Sequence, residues 1–352
     1  MKNGNHKKPT IASLYAGIGG ICRAFERAGG TMIWANEFDR HAQKTYELNF
    51  PNHHLFKKDV TFYVDRLERM RKSKFFKMPD ILTSGFPCQA FSIAGRQLGF
   101  KDLRGLHFFK TISFLEESKY KQRPKAYLFE NVKNLQGHDK GRTIKRIEEE
   151  ITRLGYSCVI RTLNSMTHAN VPQNRERIFI VGFENESIWN KGESFRNEKN
   201  APRTYAFMQA FPGKIPLTKK FRKLVKDSVE NKSYYFKYQN PRMYLKLRGV
   251  VVSRDTGYQW RRVYPRENKS NVCPTLTANM GTGGHNVPIV RDTKDIRKLT
   301  PIECARFQGF KENELRFPKD MADCHKYKQI GNSVTVPVVE RLARVIIQAI
   351  II

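Results

Sequence analysis

One cysteine of this chain lies in a segment whose composition favours reactivity. Cys88 follows Gly85 and Pro87 in the stretch GFPCQAFS, directly after the apolar run DILT. A turn built from glycine and proline is rigid and can present a thiol to a cleft. A thiolate presented in this way is a nucleophile, whereas a buried cysteine is more often an inert packing residue. The cysteine alone leaves both roles open.

Charged side chains mark the ends of two other apolar runs. Glu130 follows the run KAYLF, and Arg175 and Arg177, in the segment QNRER, precede the run RIFIVGF. If these runs are neighbouring strands of a parallel sheet, a thiol, a carboxyl and two guanidiniums converge on one cleft. The set could combine a nucleophile with groups that bind a substrate and stabilise charge.

A glycine-rich turn near the N-terminus has the form of a ligand site. The segment SLYAGIGG joins an apolar run to a helical pattern, and its glycines let a ligand approach the backbone. Glu37 ends the next apolar run, where it can hydrogen-bond a ribose diol, and Asp59 and Val60 mark a third strand end. The spacing is not GxGxxG, which disfavours a dinucleotide. A nucleoside-containing cofactor is indicated, with a purely structural strand–helix turn as the alternative.

The elements that position these residues follow from the alternation of apolar and helical patterns. Strands are predicted at residues 11–15 and in TMIWANE, PDILTSG, KAYLFENV and RIFIVGF. Helical patterns such as GRTIKRIEEEITRLG lie between them, and VPVVERLARVIIQAI predicts an amphipathic helix at the C-terminus. This alternation predicts a parallel sheet covered by helices, with ligands at the carboxyl ends of the strands.

The second half of the chain contains a strongly basic segment. Between residues 201 and 270 there are 17 Lys and Arg against 4 Asp and Glu, with aromatic residues interleaved. The whole chain of 352 residues has a formal net charge of +31 and an isoelectric point near 10. Such a surplus indicates a polyanion as partner, with nucleic acid as the first candidate. A solvated basic insertion and a generally basic proteome are the alternatives.

The pattern of cysteines and the hydropathy of the chain indicate the cellular compartment of the protein. The six cysteines are scattered and form no CxxC pair, which disfavours a zinc site and a disulfide framework. The N-terminal region is too polar and too glycine-rich for a signal peptide, and the apolar C-terminal stretch is too short to span a membrane. We therefore expect a cytoplasmic protein without a metal site or membrane association.

Seven segments, in order and spacing, resemble the motifs of the DNA cytosine-5 methyltransferases. They are SLYAGIGG, GFPCQAFS, GRQLGFKDLRGLHFF, ENV, QNRER, RKLTPIECARFQGF and YKQIGNSVTVP. The resemblance implies an α/β fold with a Rossmann-like methyltransferase domain, built on a mostly parallel sheet from residues 1–184 and 296–352. It also implies a smaller, irregular, β-rich target-recognition domain at residues 185–295.

The resemblance implies sequence-specific methylation of cytosine at carbon 5 in double-stranded DNA. Cys88 resembles the thiolate that attacks carbon 6 of a flipped-out cytosine, which makes carbon 5 enamine-like and able to accept a methyl group. Glu130 resembles the carboxyl that contacts ring nitrogen 3. Arg177 is the better candidate to hold the exocyclic oxygen, with Arg175 in support.

S-adenosylmethionine is the cofactor that the resemblance implies. Tyr15 and Phe38 would form aromatic walls, Asp59 would contact the adenine amino group, and Gly85 and Pro87 would offer backbone contacts. The complete predicted set is Tyr15, Ala16, Gly17, Ile18, Gly19, Gly20, Glu37, Phe38, Asp59, Val60, Gly85, Pro87, Asn332 and Ser333.

Three residues depart from the family pattern at the edge of the predicted cofactor site. Ser13 stands where the family often has Asp, Phe38 where Trp is frequent, and His107 where an aliphatic residue is usual. These departures concern cofactor affinity rather than the reaction.

DNA contacts are predicted in two regions. Residues 89–104 resemble the family's loop that closes over DNA, with an ordinary surface loop as the alternative. In the recognition region, YQWRRVYPREN and CPTLTANMGTGGHN are the densest candidates for phosphate and base contacts. The predicted DNA-binding residues are Gln89, Ser92, Arg96, Arg104, Arg261, Arg262 and Thr277.

Two other functions compete with DNA methylation. An RNA methyltransferase of this fold is disfavoured by the long basic segment, since that family branch usually carries a short one. A DNA-binding partner without catalysis is disfavoured by the presence of Cys88, Glu130, Arg175 and Arg177. The chain resembles stand-alone bacterial or phage modification enzymes, so we expect a monomer in a restriction-modification system, with a cognate restriction endonuclease that acts separately.

Overall fold

A seven-stranded sheet lies at the centre of the larger part of the molecule. The computed structural model describes residues 7–87, 106–116, 122–261, 264–281 and 287–352. The strands, in chain order, are β1 (Thr10–Leu14), β2 (Thr31–Asn36), β3 (His54–Phe56), β4 (Ile81–Ser84), β5 (Ala126–Val132), β6 (Val159–Asn164) and β7 (Glu176–Phe183). Their spatial order is β3-β2-β1-β4-β5-β7-β6. β7 runs antiparallel to both neighbours, and the other pairs of this sheet are parallel, so the prediction of a mostly parallel sheet is confirmed.

Helices cover both faces of this sheet. They are α1 (Gly20–Arg27), α2 (Arg40–Asn49), α3 (Val60–Val64), α4 (Leu67–Arg71), α5 (Leu106–Ile112), α6 (Arg142–Arg153), α7 (Ser165–Ala169) and α8 (Pro202–Gln209). Successive residues of β1 point to opposite faces, so Ile11 joins the apolar cluster that also contains Phe25 of α1, and Ala12 joins the cluster that contains Ile147 of α6. Strands buried on both faces explain the continuous apolar runs in the sequence.

A second, smaller sheet is antiparallel. Its strands are β8 (Tyr258–Arg261), β9 (Tyr264–Glu267), β10 (Pro288–Arg291) and β11 (Ile296–Lys298), in the order β11-β10-β8-β9. Two short helices, α9 (Phe236–Gln239) and α10 (Pro241–Leu247), precede it. Leu247, Tyr258 and Ile289 belong to an apolar cluster separate from the two that flank the large sheet. This is the smaller β-rich unit that the sequence predicts.

The segment between the two sheets packs mainly on the larger core. Phe207 of α8 contacts Phe183 of β7 with ring centroids 5.7 Å apart, and Trp189 and Phe221 belong to the same apolar cluster. The chain returns to this core after β11 through α11 (Pro301–Phe307), α12 (Asp323–Asn332) and α13 (Val336–Ile351). α13, the amphipathic helix predicted from the sequence, packs against α1 and α8. Of the helices that the structure describes, none is long and apolar enough to cross a membrane.

Candidate active site

The predicted catalytic charges meet at one edge of the large sheet. Glu130 lies near the carboxyl end of β5, and Arg177 lies near the beginning of β7, where it pairs in register with Val132. Because β7 is antiparallel to β5, the beginning of one strand adjoins the end of the other. The structure thus brings Glu130 and Arg177 together, and it does so through an antiparallel pairing, whereas the sequence predicts a parallel one.

Glu130 and Arg177 form a largely buried ion pair. The Nε atom of Arg177 lies 3.2 Å from Oε1 of Glu130, and Glu130 is 9% exposed. Burial raises the pKa of the Glu130 carboxyl, although the guanidiniums of Arg177 and Arg175 act in the opposite direction. A carboxyl that keeps its proton to a higher pH than an ordinary glutamate can donate a hydrogen bond as well as accept one.

The segment that leads to Cys88 is tied to the end of β5. Phe86 is buried against Phe129, and its carbonyl accepts a hydrogen bond of 3.2 Å from Nδ2 of Asn131. A side chain at Gly85 would begin 3.8 Å from Oε2 of Glu130, so the glycine keeps the space beside the carboxyl open. Pro87, the last residue that the structure describes before Cys88, is partly exposed. The predicted residues outside the described ranges are Cys88, Gln89, Ser92, Arg96, Arg104 and Arg262.

Arg175 is held by main-chain carbonyls. It is 2% exposed, and its guanidinium donates to the carbonyl oxygens of Leu276 at 2.6 Å, Gly331 at 3.1 Å and Ser333 at 2.6 Å. The sequence predicts a residue that supports Arg177 at the substrate. The geometry gives Arg175 contacts with two segments that are far apart in the sequence, the loop at Leu276 and the C-terminal end of α12.

The glycine-rich turn between β1 and α1 has an open backbone at Gly17. Gly17 has φ +58°, and a side chain there would meet no atom within 4 Å. At Gly19 a side chain would overlap the ring of Phe50, and at Gly20 it would lie 2.5 Å from Oγ of Ser333. Gly17 therefore leaves space for a ligand, whereas the other two glycines are required for packing.

The residues that flank Gly17 support the same site. Ala16 and Ile18 are buried, so they place the turn rather than present side chains to a ligand. The Tyr15 backbone has φ +53°, and burial raises the pKa of its phenol well above the ordinary value. Its hydroxyl pairs with Nδ1 of His107 at 2.9 Å. His107, one of the departures from the family pattern, therefore orients the aromatic wall, a contact that a separation of 92 residues conceals in the sequence.

Glu37 closes the turn from the end of β2. Its carboxylate accepts hydrogen bonds from the backbone N–H of Gly17 and of Asp39, both at 2.7 Å, and burial raises its pKa. A carboxylate has about four acceptor positions, so ribose hydroxyls can still donate to it. The neighbouring Phe38 is 64% exposed, which is unusual for a phenylalanine and suits a ring that stacks on a ligand.

The remaining predicted cofactor residues lie around the same turn. Asp59 caps α3, with Oδ1 accepting from the N–H of Thr61 at 2.8 Å, and Val60 is buried. Ser333, at the end of α12, lies against Gly20, and the adjacent Asn332 is exposed. An open glycine backbone, a carboxylate and an exposed aromatic ring fit a nucleoside-containing cofactor.

A cleft of about 700 Å³ lies between the β8–β9 hairpin and residues 268–277. Arg261 and Thr277, both predicted to bind DNA, line it. Tyr258 and Trp260 belong to or pack against the small apolar cluster, and the cross-strand neighbours Gln259 and Arg266 line the cleft together with Tyr258 and Glu267. The cleft is therefore bordered by a two-stranded ribbon that carries polar side chains, a shape that fits the DNA major groove.

One buried ionic network was not predicted from the sequence. Nε of Arg297 donates to Asp292 at 2.6 Å, and its two terminal nitrogens donate to the Glu303 carboxylate at 2.8 Å each. All three side chains are fully buried. The network joins β11 of the small sheet to α11 of the larger core. The segment RKLTPIEC contains two of its members, but its pattern does not reveal that they are buried together.

Comparison with known proteins gives concordant results. Residues 10–348 match the family described as C-5 cytosine-specific DNA methylase. The Type II methyltransferase M.Bsp6I of Bacillus sp. (strain RFL6) is 43% identical over 339 residues, 95% of this chain and 96% of the relative. M.HhaI of Haemophilus parahaemolyticus is 32% identical over 346 residues, 94% of this chain and 91% of the relative. The Dnmt2 methyltransferase of S. pombe has the same fold, with a TM-score of 0.68 at 18% identity over 97% of this chain and 99% of that one.

Proposed function

Since this chain belongs to the C-5 cytosine-specific DNA methylases, we propose that Cys88, Glu130 and Arg177 carry out its reaction, with S-adenosylmethionine as the methyl donor. The enzyme is a DNA cytosine-5 methyltransferase. The observation that supports these catalytic residues is the buried Glu130–Arg177 pair, which lies beside the segment leading to Cys88 and near an open glycine turn.

The protein groups activate the cytosine. The Cys88 thiolate forms a bond to carbon 6, and the electron pair displaced from the ring is stabilised at nitrogen 3 by the protonated Glu130 carboxyl. Arg177 donates a hydrogen bond to the exocyclic oxygen and holds the base so that carbon 6 faces the Cys88 thiolate. When bound, S-adenosylmethionine supplies the methyl group that carbon 5 accepts. Loss of the carbon-5 proton and elimination of Cys88 then restore the aromatic ring.

The residues around Gly17 would hold the donor. We assign the ribose hydroxyls to Glu37, the adenine and methionine ends to the aromatic walls Tyr15 and Phe38, and the adenine amino group to Asp59. Gly85 and Pro87 would offer backbone atoms, and the segment containing Asn332 and Ser333 would close the pocket. The open backbone at Gly17 and the exposed ring of Phe38 support this assignment.

The basic region would hold the DNA. A cytosine in a stacked duplex is inaccessible to a thiol, so the base must be flipped out, at a cost of a few kcal/mol that protein contacts offset. We propose that residues 185–295 contain the target-recognition domain, with β11 completing its small sheet, and that its cleft, with Arg261 and Thr277, contacts the DNA. The polar side chains of the β8–β9 hairpin that line the cleft support this assignment.

We propose a restriction-modification setting for this enzyme. The curated relatives M.Bsp6I, M.DsaV and M.HpaII are named Type II methyltransferases, which supports that setting. A separate cognate restriction endonuclease, a cytoplasmic location and a monomeric enzyme belong to the same proposal. Co-expression of the enzyme with plasmid DNA, followed by bisulfite sequencing, would identify the methylated site.

The catalytic assignment is tested by covalent trapping. Duplex DNA that contains 5-fluorocytosine retains fluorine where a proton must leave, so the wild-type enzyme should accumulate a covalent adduct in the presence of S-adenosylmethionine. Cys88→Ser should form none. An adduct that persists in this variant would exclude Cys88 as the nucleophile. Labelled donor transferred to tRNA but not to duplex DNA would overturn the proposed substrate.

A further inference from the structure

Two loops with different proposed partners meet at Arg175. The first loop contains Leu276 and Thr277 and borders the proposed DNA cleft, and the second, the cofactor-facing loop, starts at the C-terminal end of α12 (Gly331 and Asn332) and continues through Ser333 beside the cofactor turn. Arg175 donates one hydrogen bond to the first loop and two to the second. One guanidinium therefore fixes the separation of a DNA-facing loop and a cofactor-facing loop.

Close packing reinforces this link. A side chain at Gly331 would overlap the carbonyl group of Thr277 and the nitrogen of Ala278, so the two loops touch through their backbones. No side chain separates them at this point. Thr277 and Gly331 are therefore in direct backbone contact, and a shift of Thr277 toward Gly331 would require Gly331 to move as well.

Gln173 and Gln308 hold the same two loops from the other side. Oε1 of Gln173 accepts from the N–H of Leu276 at 3.1 Å, and its Nε2 donates to Oε1 of Gln308 at 3.3 Å. Nε2 of Gln308 donates to the carbonyl of Ile330 at 2.9 Å, in the residue before Gly331. Both glutamines are fully buried. The carbonyl of Leu276 is thus held by Arg175, which itself reaches Gly331 and Ser333, and its N–H is held by Gln173, which is linked to the end of α12 through Gln308.

We propose that Arg175 is a positioning residue that couples DNA binding to cofactor binding. The proposal rests on the function given above. Movement of the Thr277 loop on DNA is transmitted through Arg175 to Ser333, whose side chain lies against Gly20 in the cofactor turn. Because such coupling is reciprocal, the cofactor raises the affinity for DNA by the same factor by which DNA raises the affinity for the cofactor.

Arginine is suited to this role by its geometry. A guanidinium presents five N–H groups in a rigid plane, so it can serve three carbonyl oxygens without adjusting its shape. The lysine ammonium is a compact charge on a flexible chain and would hold the two loops less rigidly. The coupling, rather than the fold alone, should therefore respond to the exchange of Arg175 for lysine.

The test measures binding rather than turnover. S-adenosylhomocysteine is titrated by calorimetry into the enzyme with and without a duplex that carries the methylated site found by bisulfite sequencing. The ratio of the two dissociation constants is the coupling factor, for which about tenfold is expected in the wild type, within the usual range of allosteric coupling. Arg175→Lys should reduce the factor to about threefold and Arg175→Ala to less than about twofold.

A matched control separates coupling from simple stabilisation. Arg341 also donates to two carbonyl oxygens, those of His168 at 2.5 Å and Gly213 at 3.0 Å, but neither belongs to the two loops. Arg341→Ala should keep the wild-type coupling factor even if it lowers the melting temperature. A purely structural role for Arg175 would weaken both cofactor affinities equally and leave their ratio unchanged.

Two results would overturn the inference. One is a wild-type coupling factor near one, and the other is a folded Arg175→Lys protein whose factor matches the wild type. Arg175→Lys also keeps the test decisive if the alanine variant fails to fold, because the lysine retains a donor at this position. The proposed catalytic residues fail separately, through an adduct that persists in Cys88→Ser, so the two failures are distinguishable.

Discussion

Burial and charge oppose each other at the Glu130 carboxyl. Removal from water favours the protonated form, and the adjacent Arg177 favours the ionised form, yet burial is the larger effect and the pKa is raised. The same two residues also explain why a carboxyl is needed at all. A protonated carboxyl can donate a hydrogen bond to nitrogen 3 when negative charge develops there. The Arg177 guanidinium fixes the orientation of that carboxyl.

Replacement of Glu130 by glutamine tests this role. Glu130→Gln keeps the size and a donor N–H but cannot transfer a proton, so kcat/KM should fall by about 10²- to 10⁴-fold, the range typical of general acid–base catalysis. Steady-state methylation of duplex DNA measures the loss. A variant with wild-type kcat/KM would exclude proton donation by this residue.

The same variant should change the pH dependence. The Glu130 carboxyl is protonated below its raised pKa and loses the proton as the pH rises through that pKa. The kcat/KM of the wild type should therefore decline as the pH rises above the pKa of Glu130. The proton also stabilises the folded state at low pH, and this contribution is lost as the pH rises through the folded-state pKa. Glutamine does not titrate, so the decline assigned to Glu130 should be missing from the kcat/KM profile of the variant.

Of the five cysteines that the structure describes, four are buried and one is exposed. Burial raises the pKa of Cys22 to about 11 and that of Cys158 to about 12, and it also raises the pKa values of Cys273 and Cys304. Cys324 is exposed. Buried thiols with raised pKa values carry little thiolate at pH 8 and react slowly with alkylating reagents.

Alkylation with iodoacetamide at pH 8, followed by peptide mass spectrometry, should therefore modify Cys324 and Cys88 first. In Cys324→Ser, Cys88 should be the one rapidly modified site, and the proposed DNA and cofactor complexes should protect it. Rapid modification of Cys22 or Cys158 in the folded protein would contradict their burial.

At the level of elements, the turn between β1 and α1 uses its glycines for two different purposes. The left-handed backbone at Gly17 and Gly19 favours glycine at both positions, but protein atoms crowd Gly19 and leave Gly17 open. Substitutions at Gly17 and Gly19 should therefore affect ligand binding and packing, respectively.

Gly17→Ala should chiefly impair cofactor binding. The added methyl group contacts no protein atom, so the cost to stability is the backbone strain alone, about 1–2 kcal/mol, while the methyl group occupies the proposed ligand space. In Gly19→Ala the same strain is joined by overlap with Phe50, so the free energy of unfolding should fall further. Denaturant unfolding and S-adenosylhomocysteine titration of both variants measure the difference. Equal losses of stability would contradict this division.

Sequence reasoning succeeds where the pattern is local. The apolar runs of β1, β4 and β5 and the glycine turn are visible because each is one continuous segment. The sequence does not predict β6, because this edge strand, VIRTLN, mixes polar and apolar residues and lacks the continuous apolar run of the buried strands. The amino-acid composition of β7 does not reveal that this strand runs antiparallel to its neighbours. The contacts of Arg175, which span 101 to 158 residues, depend on packing that no local pattern encodes.

Contacts between the small sheet and α11 join the two parts of the molecule. The chain leaves the larger core, builds the small sheet and returns through β11, so the DNA-facing cleft is carried on a unit with its own apolar cluster. Arg297 crosses the junction, because it belongs to β11 and binds Glu303 of α11. The cleft keeps its position relative to the larger core only if this junction is rigid, so stability and DNA recognition are linked here.

Arg297→Met tests the strength of this junction. Removal of the guanidinium would leave the buried carboxylates of Asp292 and Glu303 without a positive partner. The free energy of unfolding should therefore fall by about 3–5 kcal/mol. Arg344→Met is the matched control, because its ion pair with Glu340 is half-exposed and worth at most about 1 kcal/mol. Denaturant unfolding of both variants gives the comparison, and a loss in Arg297→Met no greater than in the control would show that the network does not hold the junction. The Arg297 variant should also bind the methylated duplex more weakly, because the cleft would no longer be fixed against the larger core.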